Sequence, residues 1–121
     1  MVKVGDLFYR FKFDLENKNK PIARHTFKVT KVEKLKWDER IYIKCLEDSK
    51  IKLRDGYFYT SNMNLNTVIQ GNGKCKYILL DEDNFKKAYD TLNAYYVGVI
   101  HECENKLDNL NKEFEIVNSL M

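Results

Sequence analysis

Hydrophobic and polar positions alternate with a period of two through most of the first eighty residues. Across 7–13, Leu7, Tyr9, Phe11 and Phe13 stand at odd positions, with Phe8, Arg10 and Lys12 between them. That is the spacing of a half-buried strand. A polar connection over 16–21 ends in Pro21. Phe27 and Val29 then alternate with Lys28 and Thr30, which predicts a second strand reaching towards Leu35. After a turn around Trp37, Asp38 and Glu39, Ile41, Ile43 and Cys45 alternate with Arg40, Tyr42 and Lys44 in a third. Ile51 and Leu53 between Lys50, Lys52 and Arg54 predict a fourth. Asp55 and Gly56 supply the positive φ values of a tight hairpin that returns the chain over 57–60. The Asn- and Gly-rich stretch 61–76 reads as a loop with at most one helical turn, and 77–80 as a last short strand.

The period changes to that of a helix after Leu80. Asp81 suits an N-cap, Glu82 and Asp83 suit the positive first turn, and Leu80 with Phe85 fits a hydrophobic staple. From there Phe85, Tyr89, Leu92, Tyr96, Val99, Cys103, Leu107, Leu110, Phe114 and Val117 recur at steps of three and four. This is a near-heptad seam with one stutter at 103–107. One helix of about 35 residues would extend roughly 50 Å, whereas an 80-residue globule is about 30 Å across. The distal seam is therefore expected to outrun its own body and to need an apolar cover. Between Leu92 and Ile100 the helix is apolar on more than one side, as a partner helix would require. Gly98 leaves two alternatives: a straight helix that dimerises, which is favoured, or a break that folds the end back into a monomeric hairpin.

The fold class expected is α+β: a small antiparallel barrel or curled sheet over 1–80, followed by one long helix over 81–121. Charge divides at the same place. The net charge of +3 is the balance of +8 over 1–80 and −5 over 81–121, an asymmetry able to steer partners. No apolar run is long enough to span a membrane, and 1–6 holds no secretory apolar stretch, so a cytoplasmic protein with no membrane partner is expected. Cys45, Cys75 and Cys103 fit neither a disulfide framework nor a common zinc spacing.

The Val4, Gly5, Asp6 opening, the strand at 40–46 and the succession of short strands make 1–80 resemble an SH3-like small barrel. A barrel leading through a polar cap into a charged helix also resembles the layout of short bacteriophage and mobile-element proteins. That resemblance implies an inhibitor or adaptor, for example one acting against host defence, and carries no catalytic residues.

Phosphate-binding glycine loops, HExxH and GxSxG are absent, so no enzyme is expected, and neither a cofactor nor a metal. His25 reads as a surface imidazole. His101, Cys103 and Glu104 could be drawn as a metal corner, but Cys103 belongs to the seam and His101 points away from it. Two candidate surfaces remain. The seam residues Leu92, Tyr96, Val99, Cys103, Leu107, Leu110 and Phe114 would serve a homodimer or a larger protein or nucleoprotein target. Arg10, Lys12, Lys28, Arg40, Tyr42, Lys44, Lys52 and Arg54 would share the outside of the strands, where they could track a phosphate backbone and stack bases, or merely keep the sheet soluble. A third possibility is capture of a small anion such as a nucleotide between subunits.

Overall fold

The computed structural model describes residues 2–53 and 56–120. Six strands, β1 (Leu7–Asp14), β2 (Ile22–Lys34), β3 (Glu39–Cys45), β4 (Tyr57–Tyr59), β5 (Val68–Gln70) and β6 (Cys75–Leu80), precede one helix, α1 (Phe85–Ser119). The strands form a single antiparallel sheet of order β4-β3-β2-β1-β6-β5, curled into a half-barrel. The chain divides into two compact units, Met1–Thr91 and Leu92–Met121. The first seven residues of α1 thus belong with the sheet, while the charge changes sign earlier, after residue 80.

Opposite residues in the strand register share a face, so the pairings define what each side of the sheet carries. Phe8 lies opposite Phe27, Phe27 opposite Cys45, Val29 opposite Ile43 and Ile41 opposite Phe58. With Leu79 these residues make the buried cluster on the concave face. A bulge between Val29 and Lys31 shifts the register of β2 by one, and that shift is why Val32, rather than Lys31, pairs with Ile41 and joins the core. The other face begins with Phe11 and Phe13, both buried, which meet the Phe85 ring at centroid distances of 6.1 Å. Ala88, one turn on, is fully buried. β1 is thus covered on both sides.

Several expectations are corrected by this arrangement. No strand forms over 50–53. Ile51 and Leu53 still pack against the core, but as irregular chain. The expected hairpin is replaced by pairing of β4 with β3, Tyr42 opposite Tyr57, with Ile43 N–H donating to the Gly56 carbonyl at 3.0 Å; Arg54 and Asp55 lie outside the described residues. The polar stretch 61–76 contains the short strand β5, which pairs with β6 and closes one edge of the sheet.

The helix starts later than Asp81. Asn84 is its cap, its Oδ1 accepting the Lys87 N–H at 3.1 Å, so Phe85 is the first helical residue and the expected staple does not form. Asp83 pairs instead with Arg24, and Glu82 with Lys87 at 3.4 Å. Within the second unit α1 continues unbroken through Gly98, so the helical hairpin is not formed.

Candidate functional site

The eight basic-face residues expected on one surface are separated by the register. Arg10 pairs with His25 and Lys12 with Ala23, on the same side as Phe8, so both point with the concave core. Lys28 pairs with Leu7 and with Lys44, and Arg40 with Glu33 and Tyr59, all on the opposite face. Lys52 is exposed in irregular chain, and Arg54 lies outside the described residues. The cause is Phe8. Taking the odd residues of β1 as inward-pointing ignores that an apolar residue also stands at an even position, which a strand covered on both faces permits.

On the convex face the structure gathers a cluster whose tyrosines the sequence reading had largely missed. Arg40 donates from its terminal nitrogens to the hydroxyls of Tyr42 at 3.2 Å and Tyr59 at 3.3 Å, and pairs with Glu33 at 3.3 Å. Its guanidinium stands 5.1 Å from the Tyr57 ring, and Tyr57 packs on Tyr42 at 5.7 Å. The hydrogen bonds to Tyr42 and Tyr59 hold the guanidinium in its charged form, raising its pKa above the ordinary value. Period-2 spacing of Tyr57 and Tyr59 opposite Arg40 and Tyr42 was the available signal, but the strand pairing needed to read it was not.

On the concave face Arg10 lines two cavities. One, of about 260 Å³, lies between the two sheet edges, with Phe58 from β4, Ile69 from β5, Tyr77 from β6 and the amides of Asn62 and Asn64. The other, of about 280 Å³, carries Lys12, Lys20, His25 and Asp14. The Arg10 guanidinium is 4.8 Å from the Tyr77 ring and 5.3 Å from that of Phe27. Among the described residues no carboxylate pairs with it, and its Nε is buried without a hydrogen-bond partner, as is Nδ1 of His25 opposite it in register. Burial pulls the Arg10 pKa below its ordinary value, and burial followed by the Arg10 charge does the same to His25.

The seam residues fall into two groups. Leu92 is buried and Tyr96 half-buried, whereas Val99, Cys103, Leu107, Leu110 and Phe114 are exposed, as is every residue from Val97 to Leu120. Val97, Ile100, Ile116 and Leu120 add exposed apolar surface beside the seam. His101 lies 3.9 Å from Glu104 on an exposed helix face, and among the described residues no three metal-ligating side chains converge. No described helix is long and apolar enough to cross a membrane. No family model, curated protein or solved structure matches this chain.

Proposed function

We propose that this chain is a non-enzymatic interaction protein that works as a homodimer, joined through the distal half of α1. The observation that carries this reading is the exposure of an apolar seam, Val99, Cys103, Leu107, Leu110, Phe114 and Val117, on a helix that continues past Gly98. Water-exposed apolar side chains at coiled-coil spacing are stabilised when a second such stripe covers them. Against the repulsion of two segments that each carry −5, two charges flanking the seam fit a second copy as the cover. Lys106 and Glu113 each precede a seam residue by one and so lie on the same edge of the stripe. Antiparallel copies centred near Leu110 place each against its opposite. A parallel pair would set them beside Asn111 and Asn118, with no attraction gained.

Such a dimer brings two basic sheets into one assembly and leaves their surfaces to a target, as suits an inhibitor or adaptor of a larger protein or nucleoprotein. Sedimentation of the full chain across a concentration series tests the assembly: a dimer supports it, and a monomer at all concentrations overturns it.

A second reading rests on the Arg40 cluster. Tyr42, Tyr57 and Tyr59 around a cation resemble the stacking surfaces that hold single-stranded nucleic acid. It requires oligonucleotide affinity that falls with salt and drops when Arg40→Gln and Tyr57→Ala are combined. Affinity indifferent to both would remove it.

A further inference from the structure

Arg10 is an unusual residue for the inside of a curled sheet. Arg10 is half-buried, and a cation held there for structure alone would gain from a carboxylate beside it, because desolvating an unpaired charge is costly. Asp14 and Glu47 each have one oxygen engaged elsewhere: Asp14 Oδ1 accepts the Glu16 N–H at 3.2 Å, and Glu47 Oε1 accepts the Thr26 N–H at 2.6 Å. Aromatic faces at Tyr77 and Phe27 steady the positive charge but accept none of the in-plane N–H groups. Nε of Arg10 and Nδ1 of His25, opposite each other in register, are both buried without a hydrogen-bond partner, as is Nε of Arg40 on the other face.

The two cavities that Arg10 lines differ in chemistry. One is walled by Phe58, Ile69, Leu79 and Tyr77, with the Asn62 and Asn64 amides at its margin. The other sets three basic side chains, Arg10, Lys12 and Lys20, against the single carboxylate of Asp14. Each alone is smaller than the roughly 300–1,000 Å³ common for organic ligands, so a ligand of that size would have to reach into both, past Arg10. A fitting molecule has a flat apolar body with hydrogen-bonding edges for the amide-rimmed lobe and a compact anion for the basic one. Phosphate carries about −1.5 to −2 charge at neutral pH and offers three acceptor oxygens to a guanidinium fork.

We propose that the concave face of the half-barrel binds one nucleoside monophosphate per chain, the phosphate between Arg10, Lys12 and Lys20 and the base between Phe58 and Tyr77. The site lies inside a single sheet and does not depend on the dimer.

Calorimetric titration and thermal unfolding of the full chain test this with the four ribonucleoside monophosphates, inorganic phosphate and adenosine as probes. At least one nucleotide is expected to bind one per chain and to raise the unfolding temperature. Phosphate or adenosine alone, each filling one lobe, should bind at least about tenfold more weakly. Arg10→Met should remove binding while leaving the ligand-free unfolding temperature unchanged or higher, because a half-buried cation with no paired carboxylate among the described residues has been taken away. Lys20→Glu, at an exposed position that leaves the fold intact, should weaken the nucleotide at least about threefold, and so keeps the test decisive if Arg10→Met does not fold. No nucleotide binding up to about 1 mM, phosphate binding as tightly as any nucleotide, or affinity unchanged by both variants would each overturn the proposal.

Discussion

Replacing Leu107, Leu110 and Phe114 together by Ser should separate the dimer without disturbing the sheet. In the isolated chain these residues expose 58%, 60% and 65% of their surface. Complete burial of a Leu or Phe side chain is worth about 1.5–3 kcal/mol, so covering the exposed part yields roughly 1–2 kcal/mol for each. Counting both copies, the three positions contribute roughly 6–12 kcal/mol, comparable with the cost of about 4–15 kcal/mol for immobilising two molecules against each other. Losing them should therefore weaken association by more than about a thousandfold, which corresponds to about 4 kcal/mol. Sedimentation equilibrium measures the change directly, and far-UV circular dichroism controls for loss of helix. A thermal transition close to that of the parent is expected for the sheet, since none of the three residues is buried in the chain. If the triple variant dimerises within tenfold of the parent, the seam is not the interface and the argument from exposed apolar spacing fails.

Two smaller perturbations probe other parts of the same reasoning. Asn84→Ala removes the side chain that accepts the Lys87 N–H and should cost about 1 kcal/mol in denaturant unfolding, whereas Asp81→Ala should cost much less; the reverse order would restore Asp81 as the cap. In antiparallel copies centred near Leu110, the two Cys103 residues stand about 20 Å apart, far beyond disulfide reach, so mild oxidation should leave the dimer uncrosslinked. Rapid, quantitative Cys103 crosslinking on a non-reducing gel would instead mean parallel helices in register.

The long helix was legible in the chain because ten apolar residues at steps of three and four admit no other regular structure, and its predicted span of about 35 residues is the span observed. β1, β3 and β2 from Phe27 onward were legible for the corresponding reason at period two, while β4 was expected from the turn ahead of it and β6 only over its last four residues. What failed were segments whose fate depends on a neighbour. Lys50 to Leu53 alternates as a strand does, but the edge it would have paired with is taken by β4. Val68 to Gln70 looks like loop, yet it pairs with β6, and Gln70 Nε2 ties the adjoining turn by donating to the Gly71 and Gly73 carbonyls at 2.9 Å. The cap at Asn84 was hidden for a different reason. Three acids ahead of it all satisfy the rule for a helix start, and only the Arg24 and Lys87 partners show that Asp83 and Glu82 serve side-chain pairing instead.

The candidate site illustrates how far one parity decision travels. Assigning a face to a strand from its alternation assumes that one side meets core and the other water, and β1 violates that assumption because Phe11 and Phe13 meet Phe85 while Phe8 meets Phe27 and Phe58. β6 carried the warning: apart from Lys76 and Tyr77, the run Cys75, Ile78, Leu79 and Leu80 is apolar at both parities, as in a strand covered on both sides. Once both faces of the central strands are covered, the polar residues between their apolar ones cannot all be solvent-facing. Arg10 then changes meaning. On an outer face it would be one solvated cation among several, needing no explanation. Half-buried under the curl of the sheet, stacked on Tyr77 and lining two cavities, it has no carboxylate paired to it among the described residues, and that is what makes it the candidate for an anion brought from outside the chain.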